Sequence, residues 1–417
     1  MNPAPQGPLA GLRVVDMTAG LTGPYATQLI GDLGAEVIGI EPPEGGGLRR
    51  QGPARHPSMG SRFLRINRGK RGIAVDLETP GGRAAVFRLC ERADVFLHDR
   101  AREAMRRLGL AYEDVSAANP RIVYCGVSAF GEGGPYSGRP AADETLQGLA
   151  AIAAVQARLS GAGPRYLPFA FADRAGALAL VNAILAALLA RNRTGRGQAV
   201  GLSVFEALSE YVLSEHMWGH TFEPPIAGMG MKRIFDRRPA PTRDGFLCYT
   251  LAHDGQVARF WRMTGRDDLA ADARFATRED RNRYSKEFYD AVDAELARRT
   301  TAEWLQAFEA ADLPAMPAQA LPDLFDDPQL RAAGLFKTVE HPTEGAIVSL
   351  QVPTKWSKTP PRNGRHAPAL GEHTVEVLLE AGYGLSEVEA MIAAQEVYAA
   401  APQDRAGGGI RGPAAAS

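Results

Sequence analysis

Residues 11–40 read GLRVVDMTAGLTGPYATQLIGDLGAEVIGI, and their pattern decides the fold class. The apolar run at 12–17 is typical of a buried strand, and a glycine-containing turn follows it. Pro24 suits the first turn of a helix, which we expect to continue to about Asp32. The apolar run at 35–40 predicts a second strand. Strand, helix and strand in this order are typical of a parallel sheet covered by helices.

The same alternation continues along the chain. Thr79 before Pro80 is typical of a helix N-cap. Further strands are predicted at 73–77, 94–98, 121–128 and 199–204, most of them separated by helical segments. The fold class predicted is therefore α/β, with a doubly wound parallel sheet. The glycines at 20 and 23 do not have the GxGxxG spacing, so a generic turn is favoured over a dinucleotide site.

Composition and length limit the function classes. A chain of 417 residues is too long for one core, so we expect two domains. The net charge of -1 argues against general binding to nucleic acid or anionic membranes. Three widely spaced cysteines and the absence of a secretory-type start fit a cytoplasmic protein. No metal cofactor is expected, because His216 and His220 are not part of an HExxH motif.

The strand and helix rhythm changes after residue 221, where Gly, Pro and Arg become frequent. We therefore expect a large domain at 8–221, a small domain at 222–335 and a return to the large domain at 336–398. Residues 399–417 are of low complexity and are predicted to be disordered.

One acid stands out in PFAFADRAGALALVNAILAALLARNRTGRGQAVG, residues 168–201. Asp173 precedes a long apolar helix, and a basic turn and a strand follow that helix. Asp is a favoured N-cap, which is a purely structural explanation. The alternative is a nucleophile kept ionised by the helix dipole and able to attack a thioester. Local pattern alone leaves both explanations of Asp173 open. It also leaves two interpretations of NRGKRG at 67–72, which are a solvated basic loop and a segment that contacts phosphate.

Several segments together resemble the family III CoA-transferases, the formyl-CoA transferase and carnitine CoA-transferase group. The matching stretches include NRGKRGIAVDLETPGGR, RRLGLAYEDVSAANPRIVYCGVSAFGEGGPYSGRP, LAALLARNRTGRGQAVGLSVFEAL and APALGEHTVEVLLE, besides the opening segment. The resemblance implies a Rossmann-like large domain formed by both chain ends, a smaller α+β domain and an interlocked homodimer. It also implies acyl-CoA and carboxylic acid substrates, with no permanently bound cofactor.

The resemblance implies that Asp173 is the catalytic nucleophile, which forms an aspartyl mixed anhydride and then an aspartyl-CoA thioester. It also implies that CoA is contacted by five other residues: Leu21, Thr22, Val75, Arg100 and Arg107. Glycine loops at 131–134 and 228–230 are candidates for stabilising the oxyanion.

Other positions depart from the family pattern. Gly39 and Glu78 replace lysines, and Asp99 and Arg100 replace an Asn-Phe pair, so the contacts with CoA need not be the usual ones. An α-methylacyl-CoA racemase is an alternative, but it needs a histidine where this chain has Ala142. A non-catalytic CoA-binding homologue is the second alternative. Four arginines, Arg49, Arg50, Arg139 and Arg165, are candidates for binding a dicarboxylate.

Overall fold

The computed structural model describes residues 7–230, 232–361 and 364–400. It contains two compact units. The first unit comprises the residues up to Ala150, Tyr166–Glu210 and the residues from Arg331 onward, and the second comprises Ala151–Arg165 and Tyr211–Leu330. The second unit thus includes a segment at 151–165 that the predicted ranges assigned to the large domain. Of the tail predicted to be disordered, 401–417 lies outside the described residues.

The strands follow the alternation expected from the sequence. They are β1 (Arg13–Met17), β2 (Glu36–Glu41), β3 (Lys70–Val75), β4 (Val95–His98), β5 (Val123–Ser128), β6 (Gln198–Ser203), β7 (Ala240–Pro241), β8 (Phe246–Tyr249), β9 (Ala315–Pro317), β10 (Phe336–His341), β11 (Gly345–Leu350) and β12 (Val397–Tyr398).

The helices include several short ones that the sequence did not predict. They are α1 (Thr22–Asp32), α2 (Ser61–Ile66), α3 (Pro80–Cys90), α4 (Arg102–Leu108), α5 (Tyr112–Ala118), α6 (Asp143–Leu149), α7 (Ile152–Ser160), α8 (Phe171–Thr194), α9 (Val204–His216), α10 (Lys232–Asp236), α11 (Asp254–Thr264), α12 (Asp267–Ala270), α13 (Ala273–Ala276), α14 (Arg278–Arg283), α15 (Ser285–Leu296), α16 (Thr301–Ala310), α17 (Pro328–Ala332), α18 (Thr374–Glu380) and α19 (Leu385–Ala393). Thr79 caps α3 as predicted, since its hydroxyl accepts from the N–H of Gly82 at 3.1 Å.

The central sheet of the first unit has the order β12-β3-β2-β1-β4-β5-β6. Strands β1 to β6 are parallel, and β12 pairs antiparallel with β3. The α/β class is therefore confirmed, and both ends of the chain contribute strands to one sheet. The order 3-2-1-4-5-6 reverses between β1 and β4, the place where doubly wound sheets form a ligand crevice beyond their carboxyl ends.

Strand β3 begins at Lys70, three residues before the predicted start, and its six residues are all buried. The three cations of the basic segment are therefore neither solvated nor free to bind phosphates. Arg68 pairs with Asp32 at 2.6 Å, and Lys70 pairs with Asp16 at 3.0 Å. Arg71 pairs with two or more glutamates, among them Glu36 at 2.6 Å. Both interpretations of this segment were wrong because the strand extends through it.

The second unit has its own hydrophobic core, built mainly from aromatic side chains. Its most buried members include Phe260, Trp261, Phe288, Trp304 and Phe308. The ring of Phe260 lies 5.9 Å from that of Phe308, and the indole N–H of Trp304 donates to the carbonyl of Leu296 at 2.7 Å. These contacts connect α11, α15 and α16, so this unit is organised mainly by helix packing.

Helix α8 has the length and mean hydropathy, 1.6, of a helix that can cross a membrane. Core helices of folded domains meet the same criteria, so this is weak evidence for a membrane. Here α8 packs against α1, β5 and β6, and Arg191 near its end is buried and pairs with Asp94 at 2.8 Å. The interpretation of this apolar run as a helix of the core agrees with that packing.

Candidate active site

A cavity of about 440 Å³ opens at the carboxyl ends of β1, β2 and β3, next to the point where the strand order reverses. Met17 and Val75 form part of its apolar wall, and Asp99 and Arg100 approach it from the end of β4. A volume of this size suits part of a small organic ligand. The cavity lies entirely within the first unit.

Asp173 lies in the first turn of α8, but it does not cap the helix. The helix begins at Phe171 and its N-cap residue is Ala170, so Asp173 is the third helical residue. The N-cap interpretation is therefore wrong, because the helix starts three residues earlier than the sequence suggested. The carboxylate is half-buried and is still close to the positive end of the helix dipole.

The side chain of Asp173 is held from the start of α1. The buried hydroxyl of Thr22 donates to Oδ1 of Asp173 at 2.7 Å. Gly176, one turn further along α8, allows this approach, because a Cβ there would lie 3.3 Å from Cγ2 of Thr22 and 3.2 Å from the methyl groups of Val204. One hydrogen bond thus fixes Oδ1 and with it the orientation of the carboxylate.

The backbone of Asp173 is held from α6. Its N–H donates to Oδ1 of Asp143 at 3.0 Å. Gln147, one turn along α6, donates from its amide to Asp143 at 2.6 Å and accepts from the N–H of Leu167 at 2.9 Å. Two side chains of α6 therefore fix the segment that leads into α8.

Electrostatic effects on Asp173 oppose one another. Burial raises the pKa of this carboxyl, the hydrogen bond from Thr22 lowers it, and the negative charge of Asp143 raises it again. The net direction is upward. A raised pKa means that the folded protein disfavours the charged form, which is typical of reactive acids.

The residues predicted to contact CoA are not all in one place. Val75 and Arg100 line the cavity. Leu21 is buried in a small apolar cluster with Phe63, while Thr22 bonds Asp173. Arg107 is exposed on α4 and is not among the residues that line the cavity. These five assignments remain predictions.

Two departures from the family pattern acquire a structural role at this cavity. The carboxylate of Asp99 accepts from the N–H groups of Ala19 and Gly20, at 2.8 and 3.0 Å. These N–H groups belong to the turn after β1, so Asp99 occupies donors that an anionic ligand would otherwise use. Glu78 lines the same cavity. Carboxylates at positions 78 and 99 therefore line this cavity where the family pattern has a lysine and an asparagine.

Other sequence candidates have structural roles. The N–H of Gly131 already donates to the hydroxyl of Ser128 at 2.8 Å, so it is not a free oxyanion donor. His216 ends α9 and His220 lies in a separate 3-10 helix, so they are not on one helix face. In the part of the chain that the structure describes, no cluster of three or more metal-binding side chains is found. Cys125 is buried, which raises its pKa to about 12.

Sequence reasoning did not find the contacts of Thr22 and Asp143 with Asp173. The resemblance assigns Thr22 to contacts with CoA, and it gives no role to the acid at position 143. The sequence contains only a weak signal for these contacts. Thr22 is a polar residue at a helix start, and Asp143 lies four residues before Gln147.

Comparison with known proteins agrees with this geometry. The family model described as CoA-transferase family III matches residues 9–374. Succinate–glutarate CoA-transferase of Agrobacterium fabrum is 34% identical over 382 residues, covering 89% of this chain and 95% of that protein. Succinyl-CoA:glutarate CoA-transferase of Mus musculus is 32% identical over 377 residues, covering 89% and 86%.

A solved structure agrees as well. The crystal structure of a CAIB/BAIF family protein from Brucella suis superposes with a TM-score of 0.77 at 30% identity, covering 90% of this chain and 100% of that one. The match of the family model, the curated relatives and the shared fold all extend over most of the chain. The chain therefore belongs to CoA-transferase family III and is a CoA-transferase.

Proposed function

We propose that Asp173 is the nucleophile with which this enzyme moves CoA from an acyl-CoA thioester to a free carboxylic acid. The observation that supports this most is the state of its carboxylate. It is half-buried at a helix start, Thr22 holds Oδ1, and burial raises its pKa. A carboxylate oriented through one oxygen presents the other to a carbonyl carbon.

The proposed transfer has four steps. Oδ2 of Asp173 attacks the thioester carbonyl, which forms a mixed anhydride and expels CoA as its thiolate. The thiolate attacks the aspartyl carbonyl, which forms an aspartyl-CoA thioester and releases the donor acid. The acceptor carboxylate attacks that thioester, giving a second anhydride and the thiolate. The thiolate then attacks the acceptor carbonyl and regenerates Asp173.

We propose a dicarboxylic acid as at least one of the substrates. The support is the names of two relatives, in Agrobacterium fabrum and Mus musculus, both of which name glutarate, together with succinate or its CoA thioester. Relatives at about this identity often differ in substrate, so the acid itself has to be measured.

Trapping tests the mechanism. Borohydride or hydroxylamine added during turnover with acyl-CoA should modify the peptide that contains Asp173, as read by mass spectrometry. Asp173→Ala should abolish both the modification and the transfer. Full transferase activity of that variant would refute the mechanism. Exchange of the α-proton of a 2-methylacyl-CoA without any acceptor acid would instead favour a racemase-like enzyme, and binding of CoA without either reaction a non-catalytic homologue.

We also propose that the enzyme acts as an interlocked homodimer in the cytoplasm. Helix α8 exposes Leu178 and Leu189, at 55% and 66%, which is an apolar surface that a second chain would cover. The free thiols of Cys90, Cys125 and Cys248 suit a reducing compartment. Light scattering of the purified chain should give twice the mass of one chain.

A further inference from the structure

Two arginines lie in the surroundings of Asp173, together with the negative charge of Asp143. Arg62 lies on α2, and Arg174 directly follows Asp173 on α8. Across residues 7–230, 232–361 and 364–400, neither of them takes part in an ion pair with a described acid. The hydrogen bond found for the Arg62 guanidinium is to the neutral amide of Gln51, at 2.9 Å.

An apolar cluster brings α2 close to the reactive acid. Phe63 on α2 packs in one cluster with Leu21, at the start of α1, and Ala170, at the start of α8, packs against the same cluster. Arg62 is the neighbour of Phe63, and its charge acts on Asp173, where burial raises the pKa and Arg62 lowers it. The cation is thus positioned by buried contacts, while its own side chain is exposed.

The guanidinium of Arg174 is oriented by an aromatic ring. Its central carbon lies 4.6 Å from the centre of the Tyr25 ring. A guanidinium stacked on a ring keeps the N–H groups at its edge free to donate. Arg65, one turn after Arg62 on α2, is a further cation near Arg174: burial and the charges of Arg68 and Arg174 lower its pKa, and the charge of Asp32 opposes them. Cations crowded in this way are stabilised when an anion binds between them.

Of the arginines named from the sequence, Arg49 is already committed to another contact, because it is buried and paired with Glu41 at 2.6 Å.

We propose that Arg62 and Arg174 bind the second carboxylate of a dicarboxylic acid while its first carboxylate reacts at Asp173. A guanidinium group matches the planar geometry of a carboxylate, and its charge distinguishes a dicarboxylic acid from a monocarboxylic acid of the same length. This inference rests on the proposed function, because it places the acid substrate at Asp173.

The test compares two acceptor acids of equal chain length, glutarate and pentanoate, with one acyl-CoA donor at a fixed concentration. The full chain, Arg62→Gln, Arg174→Gln and the control Arg193→Gln are measured. The ratio of kcat/KM for glutarate to that for pentanoate should fall about tenfold to hundredfold in the first two variants, mainly through KM for glutarate. Arg62→Lys should recover part of the ratio, since it restores the charge.

The control lies on the same helix, about 30 Å from Asp173 at 1.5 Å per residue, and should leave the ratio unchanged. Equal losses with both acids in Arg62→Gln and Arg174→Gln would overturn the inference, because a structural role would lower both. If the unaltered chain transfers CoA to no acid and Asp173 is not modified in the trapping experiment, the proposed function fails. If the unaltered chain transfers CoA and the ratio does not respond, only the arginine assignment fails.

Discussion

The hydrogen bond between Thr22 and Asp173 can be removed with almost no change of shape by Thr22→Val. The valine keeps the methyl group that packs near Gly176 and loses the hydroxyl that donates at 2.7 Å. A hydrogen bond to a charged group contributes about 1.5–3 kcal/mol, and solvent around a half-buried carboxylate reduces this. We expect a loss of about 1 kcal/mol in the free energy of unfolding at neutral pH.

The sign of the pH dependence follows from the electrostatics of Asp173. Burial already raises the pKa of this carboxyl and the Thr22 hydroxyl opposes the rise, so the variant should have a still higher pKa. The charged carboxylate then opposes folding more strongly above the folded-state pKa. The loss of stability should therefore be greatest at neutral pH and should shrink as pH falls through that pKa toward the unfolded-state value.

The assay is the pH profile of kcat/KM, whose acid limb reports the ionisation of the free enzyme. Because the proposed mechanism requires an ionised carboxylate, this limb should move to higher pH in Thr22→Val, and Thr22→Ser should restore it. Urea unfolding at neutral and acid pH measures the stability change. An acid limb that stays in place or moves to lower pH, or a serine variant equal to the valine variant, would refute the reasoning.

Three further outcomes are expected. Asp173→Asn should raise Tm at neutral pH, because the folded state raises the pKa of this acid and its charge therefore opposes folding. When thermal unfolding is measured below the ordinary pKa range of Asp, this gain in Tm should vanish. Gly176→Val should lower kcat, since its Cβ would already lie 3.3 Å from Thr22, and a normal kcat in steady-state assays would contradict this. Lys70→Met should cost about 3–5 kcal/mol in chemical unfolding by leaving Asp16 buried without a cation, and adding Asp16→Asn should recover part of that loss.

Local sequence pattern was sufficient to predict the strands, helices and caps that depend only on neighbouring residues. The first strand, the helix after it and the cap at Thr79 each depend on a few neighbouring residues, and all agree with the structure. The start of β3 did not follow from local pattern. Its first two residues, Lys70 and Arg71, are charged, so the sequence resembles a loop, and only partners from distant segments make their burial possible.

The sequence by itself determined the parallel α/β architecture, the family and the acid at the start of the long helix, because each of these is recorded in periodicity or in ordered motifs. The tertiary structure decided what acts on that acid. Thr22 is 151 positions away from Asp173, and Phe63, the neighbour of Arg62, packs in one apolar cluster with residues at the starts of α1 and α8. Such contacts join residues that share no local pattern. They depend on how helices pack across the sheet, so they become visible only when the chain is folded.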